Sequence, residues 1–275
     1  MTLPTRFVKM AGGGNDFLLF EADGRRLTEG DRRRIALLCR RGLSVGADGA
    51  LFLSGGAESR IHLDYFNADG GLASFCANGT RCAARYAVQR RLVAGNSPVL
   101  ETGWAVISAE VADGEVMLKL PPFAPPSEPV AILGEGLPPT AIPIEVGVPH
   151  LVVFVTEDLE ELPIKGLAPP LRRHPALPDG ANVNFVKVTG PHSIAVRTYE
   201  RGVEGATLAC GSGVVASAIV AARQELVSPP VVCTTRSGVA FTVSFVERGG
   251  SIVEASLTGD AREIFEAELN EEALT

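Results

Sequence analysis

Short runs in which apolar residues alternate with polar ones, or stand together four at a time, recur along the whole chain. They cover residues 17–20, 60–66, 105–111 and 115–120 in the first half, and 150–155, 193–199, 239–246 and 251–257 in the second. Such runs predict β-strands. Helical spacing is confined to four places. Two read as ordinary helices, over residues 28–41 and about 168–174. In the first, Arg32, Arg33, Arg34, Arg40 and Arg41 flank the apolar Ile35, Leu37 and Leu38, so the basic residues form a solvated face. The other two each follow a cysteine, in "CANGTRCAARYAV" from Cys76 and "CGSGVVASAIVAA" from Cys210. The helix after Cys210 has no polar side, and a helix that is apolar all round must be enclosed. Many short strands for each such helix predict a sheet curled around it.

The two cysteine-led stretches are 134 residues apart. Sliding the chain by that offset pairs Gly46-Ala47 with Gly180-Ala181, Gly56 with Gly190, Ser59 with Ser193, Tyr65 with Tyr199 and Gly71 with Gly205. It also pairs Cys76 with Cys210, Gly79 with Gly213, Ala84 with Ala218 and Ala87 with Ala221, which makes ten identities in 43 positions. Composition alone would give roughly three. The matches fall at turns and at a cysteine, where geometry is demanding. The chain is therefore read as two copies of one unit. The proline cluster from Pro121 to Pro129 can join neither a helix nor a central strand, and it marks the seam. The expected division is an N-terminal lobe over 1–120, completed by 263–275 as a last strand or tail, and a C-terminal lobe over 121–262. The fold class is α+β: two pseudo-symmetric lobes, each a barrel-like sheet wrapped around a central helix, with the active site in the cleft between them.

With 275 residues, 46% of them hydrophobic and 21% charged, a packed globule is expected. A net charge of −7 argues against a nucleic-acid surface. The first ten residues lack the apolar core of a signal peptide, and no apolar run reaches the roughly 18 residues of a membrane span. A cytoplasmic protein that touches no membrane is expected. The five cysteines are an odd number and read as reduced thiols. Zinc is disfavoured, since Cys76 and Cys82 are six apart and the four histidines are scattered.

A cysteine at a helix start has particular chemistry. The first turn exposes unpaired N–H groups and the positive end of the helix dipole. A substrate carboxylate can dock there, and a thiol placed there ionises more readily. Duplication supplies two such thiols. A thiolate on one face of a carbon and a thiol on the other can invert a stereocentre, one removing a proton and the other returning one. No pyridoxal phosphate, metal or nucleotide cofactor is called for. Cys39, Cys82 and Cys233 read instead as small core residues.

These residues belong to a recognisable set. "GGGNDF" (12–17), "GADG" (46–49), "YFNADG" (65–70), "CANGTRC" (76–82), Pro149-His150, "NVNFV" (182–186) and "RTYERGVEGATLACGSG" (197–213) resemble the diaminopimelate epimerases over nearly the whole chain. The resemblance implies cofactor-free interconversion of LL- and meso-diaminopimelate, a step towards lysine and cell-wall precursors. It makes Cys76 and Cys210 the catalytic thiols. It assigns Asn78, Gly79, Gly211 and Ser212 to the reacting carboxylate, and Asn67 and Glu200 to the α-amino end. It puts Asn15 in a substrate-contacting motif and Asn182 and Arg201 at the distal end. Lys9, Asp16 and Asp69 take supporting roles, and His150 either supports the cysteine region, by orienting it or tuning its charge, or is a satisfied structural histidine. The implied partner is a small amino-acid substrate; the assembly state is left open, a homodimer included. Two positions depart from the family pattern. Ala77 replaces a glycine, which is tolerable without positive φ. Val148 replaces an asparagine and cannot hydrogen-bond a distal group, so a racemase or epimerase of another amino acid is the alternative reading. A nucleotide-binding module lacks its motif, and a thiol hydrolase would have to use His150 as base.

Overall fold

A computed structural model describes residues 3–55, 60–134 and 137–274, so Gly56 and Ser59 of the repeat lie outside the described residues. The chain divides into two compact units, Met1–Lys119 with Gly259–Thr275, and Leu120–Thr258. The first runs β1 (Arg6–Gly12), β2 (Asn15–Ala22), α1 (Glu29–Leu38), β3 (Gly49–Gly55), β4 (Arg60–Asn67), β5 (Leu72–Ala73), α2 (Ala77–Gln89), β6 (Val99–Glu101), β7 (Val106–Ala112) and β8 (Glu115–Leu120). After β9 (Val130–Ala131), the second repeats the same order: β10 (Thr140–Val146), β11 (Val148–Phe154), α3 (Ile164–Arg172), β12 (Asn182–Gly190), β13 (Ser193–Glu200), β14 (Gly205–Ala206), α4 (Gly211–Arg223), β15 (Val231–Thr235), β16 (Ala240–Arg248) and β17 (Ser251–Asp260). The chain then returns to the first unit as β18 (Arg262–Glu268), which pairs antiparallel with β1.

Strand pairing is duplicated as faithfully as element order. β1–β2 and β10–β11 are antiparallel, β2–β3 and β11–β12 parallel, and β3–β4 and β12–β13 antiparallel. β4–β6 and β13–β15 are again parallel, and each is followed by an antiparallel partner, β7 or β16. Each mixed sheet curls around one helix. α2 touches β1, β2, β3, β4, β6, β7 and β18, while α4 touches β10, β11, β12, β13, β15 and β16. The two-lobe α+β architecture follows from that duplication.

The enclosed helices are built to be enclosed. Val214, Val215, Ile219 and Val220 of α4 are fully buried, each worth about 1.5–3 kcal/mol of transfer free energy. In α2 the small Cys82, Ala83, Ala84 and Ala87 let the sheet approach closely. The outer helix α1 starts at a capping box: the Asp31 N–H donates to Thr28 Oγ1 at 3.2 Å and the Thr28 N–H donates to Asp31 Oδ2 at 2.9 Å. The second outer helix differs from its expected position. It begins at Ile164, earlier than the expected 168, and runs through Pro169 and Pro170. Ile164, Ala168 and Leu171 form one buried stripe on the unit 2 core, and this packing holds the segment helical despite the missing proline donors. Among the described residues no helix is long and apolar enough to cross a membrane.

Candidate active site

In unit 1, Cys76 is the residue immediately before α2. Its backbone is extended (φ −142°, ψ 108°), and its carbonyl accepts from the Thr80 N–H at 2.8 Å. Its Sγ accepts from the Gly79 N–H at 3.5 Å, so the half-buried sulfur stands among the unpaired donors of the first turn. Asn78, Gly79 and Thr80 are the first turn itself, not a loop leading to it, because α2 already begins at Ala77. Ala77 is helical, and a β-carbon costs nothing there. Gly79 packs closely on β3: a Cβ would lie 2.8 Å from Leu51 Cδ2, so a larger residue would push that side chain aside.

A directed chain of hydrogen bonds fixes the polar groups beside that turn. Arg81, fully buried, donates from Nη2 to Asn78 Oδ1 at 2.6 Å. Asn78 Nδ2 donates to Asn15 Oδ1 at 2.7 Å, and Asn15 Nδ2 donates to Asp48 Oδ2 at 3.0 Å. Arginine only donates and an ionised aspartate only accepts, so both amide orientations follow from the ends of the chain. These bonds use one N–H of each amide, and each amide has two. Asp16 sits beside Asp48 under Arg41 and Lys9. Burial pushes its carboxyl up, but hydrogen bonds from Arg41 and Lys9 outweigh that and bring it down to about 2. Asn67 lies at the exposed end of β4, where its backbone closes the turn to Gly71. Asp69 caps that turn by accepting from the Gly71 N–H at 2.8 Å.

Unit 2 repeats the plan with other residues. Cys210 immediately precedes α4 with the same extended backbone (φ −127°, ψ 110°), and its carbonyl accepts from the Val214 N–H at 2.9 Å. Its Sγ lies 3.5 Å from Ser212 Oγ. Ser212 Oγ is 3.0 Å from His150 Nε2, and His150 Nδ1 is 3.1 Å from Asn184 Nδ2. Asn78 and Ser212, equivalent in the repeat, are thus each tied to a side chain from the start of the unit's second strand. His150 is held neutral: burial, reinforced by the charge of Arg201, lowers its pKa to about 3. Asn182, Glu200 and Arg201 gather where β12 starts and β13 ends. Asn182 Oδ1 accepts from the Arg201 N–H at 2.8 Å, the Arg201 guanidinium donates to the Asp179 carbonyl at 2.9 Å, and Glu200 accepts from the Thr207 hydroxyl at 2.6 Å. Val148 opens β11 half-buried, two residues before His150.

The remaining cysteines are unlike these two. Burial pushes the thiols of Cys39, Cys82 and Cys233 up to about 12, which suits core residues and disfavours thiolate. Arg81, Asn184 and Thr198 were not singled out from the sequence. Alternation in "NVNFV" carried a signal for Asn184, since period two puts it on the same strand face as Asn182. Nothing local announced a buried arginine at position 81.

Two copies of one α+β unit, each with a cysteine at the start of its enclosed helix, define a duplicated two-lobe class of protein. Solved structures share that fold. A phenazine biosynthesis protein of the PhzF family from Enterococcus faecalis superposes with a TM-score of 0.74 at 16% identity, covering 98% of this chain and all of that one. A hydroxyproline epimerase from Agrobacterium vitis gives 0.67 at 15% identity, covering 97% and 92%. The sequence pattern described as Diaminopimelate epimerase matches residues 7–118 and 143–262. The chain is 38% identical to the diaminopimelate epimerase of Aquifex aeolicus over 98% of its own length and 99% of that protein's. It is 36% identical to that of Methanocella arvoryzae over 96% of each. The chain belongs to the diaminopimelate epimerase family, a family of isomerases.

Proposed function

We propose that the chain interconverts LL- and meso-diaminopimelate by a two-base reaction of Cys76 and Cys210. The observation that carries this reading is that each unit independently presents a sulfur at the first turn of its enclosed helix. In one direction a thiolate takes the α-proton and becomes a thiol. The electron pair left on carbon delocalises into the adjacent carboxylate, and the opposite cysteine delivers its own proton to the other face, ending as a thiolate. The N–H groups around Asn78, Gly79, Gly211 and Ser212 stabilise the charge that develops on the carboxylate. Asn67 and Glu200 hold the α-ammonium group. Asn15, Asn182 and Arg201 hold the distal end, for which the arginine fork suits a carboxylate. Family membership supports an enzyme of lysine biosynthesis acting on a small amino acid, and a pair of reacting thiols calls for the reducing conditions of the cytoplasm.

The apolar Val148 at the head of β11 favours a second reading, turnover of an amino acid without a second zwitterionic end. Exchange of the α-proton in deuterated water separates the two. Diaminopimelate is expected to take up deuterium at Cα, and Cys76→Ala and Cys210→Ala are each expected to lose at least about a thousandfold in epimerisation while remaining folded. Exchange confined to a monocarboxylic amino acid would overturn the substrate, and near-normal epimerisation in either variant would overturn the mechanism.

A further inference from the structure

The proposed reaction gives no part to Asn184 or Thr198, yet both are buried under the first turn of α4. Gly213, the third residue of that helix, rests on them: a Cβ there would stand 2.3 Å from Asn184 Oδ1 and 3.1 Å from Thr198 Oγ1. A buried polar pair is costly unless its hydrogen bonds are made. Here they form a line. Thr198 Oγ1 donates to Asn184 Oδ1 at 2.9 Å, Asn184 Nδ2 faces His150 Nδ1, His150 Nε2 faces Ser212 Oγ, and Ser212 Oγ faces Cys210 Sγ.

The direction of that line follows from electrostatics at its inner end. The Asn184 amide oxygen lies against Gly213, in the turn where unpaired N–H groups make the surroundings positive, and oxygen is preferred over NH₂ there. The amide nitrogen therefore faces His150, whose Nδ1 must accept. A neutral imidazole that accepts at Nδ1 carries its proton on Nε2. That N–H donates to Ser212 Oγ, and the single Ser212 proton turns to the sulfur. The opposite amide orientation would reverse every bond and turn the serine proton back to the imidazole.

The geometry points to Asn184 and Thr198 as positioning residues: they fix the Nε2–H tautomer of His150 and so aim the Ser212 hydroxyl proton at Cys210 Sγ. Their importance for turnover rests on the reading of Cys210 as a reacting thiol. The two halves then meet one demand with different donors. A backbone N–H from Gly79 serves Cys76, and a hydroxyl of enforced direction serves Cys210.

Nitrogen-15 spectra of the full chain labelled at histidine test the tautomer in the unaltered protein. At neutral pH His150 should show a protonated Nε2 and a bare Nδ1; a protonated Nδ1 overturns the proposal. Asn184→Asp places an acceptor against Nδ1 and should move the proton there. Iodoacetamide modification of Cys210 at fixed pH, followed peptide by peptide, should then slow about tenfold, the equivalent of one pKa unit, while Cys76 keeps its rate. Thr198→Val should slow it less, and Thr198→Ser should restore it. Unchanged Cys210 rates in folded Asn184→Asp would refute the relay. Neither measurement needs substrate. A wild-type chain with the expected tautomer but no α-proton exchange would sink the epimerase reading and leave the relay standing.

Discussion

Acidification loads unit 2 through His150. In the unfolded chain His150 titrates near its ordinary 6.5, whereas burial, with the charge of Arg201, lowers it to about 3 in the fold. Between those values the unfolded state binds a proton that the native state refuses. The contribution of His150 to stability is therefore complete above about 6.5 and is lost progressively as the pH falls towards 3. At pH 5 the unfolded chain sits about 1.5 pH units below its titration point while the native imidazole is still neutral, a loss of about 2 kcal/mol at about 1.4 kcal/mol per unit. His150→Gln isolates this effect, since glutamine offers an acceptor and a donor but does not ionise. Urea unfolding of both chains, followed by far-UV circular dichroism at pH 7.5 and pH 5, cancels every other titrating group. Wild type should lose about 2 kcal/mol more than the variant between the two pH values. A stability gap that stays level from neutral pH to pH 5 would refute the claim that His150 is held neutral by the fold.

Other perturbations test the rest of the construction. Gly213→Ala drives a methyl into Asn184 Oδ1 and should cost unit 2 about 1–3 kcal/mol; an unchanged melting temperature would mean that α4 does not rest on that pair. Thr28→Ala removes one arm of the α1 capping box and should cost about 1 kcal/mol, while Thr28→Ser should cost much less; equal losses would exclude the cap as the cause. Iodoacetamide at pH 8 should spare Cys39, Cys82 and Cys233 until denaturant is added, because burial holds their thiols near 12. Labelling of any of the three in the native protein would contradict that burial.

Much of the architecture could be read from the sequence because it rests on local rules. A cysteine before small residues and an alanine-rich run announces a helix start, and the all-apolar face after Cys210 could only be enclosed. The repeat was legible because glycines at turns tolerate few replacements. What escaped was decided by distant contacts. The start of the second outer helix at Ile164 is set by a stripe packed on the core, which outweighs Pro169 and Pro170 within it. Arg81 looks like a surface residue by composition, yet the curl of the sheet leaves it no route to water, and its fork is used to orient Asn78. Asn184 and Thr198 are 14 positions apart and meet only because β12 and β13 pair in register.

The return of the chain to unit 1 as β18 bears on how the protein is made. Synthesis normally lets the N-terminal domain fold first. Here the edge of β1 stays unsatisfied until residues 262–268 leave the ribosome, by which time every strand of the second unit except the last has been available for some time. The order of maturation is therefore inverted, and the first-made half is finished last. A released chain truncated before Arg262 should keep a protease-resistant second half and a first half whose β1 border is open.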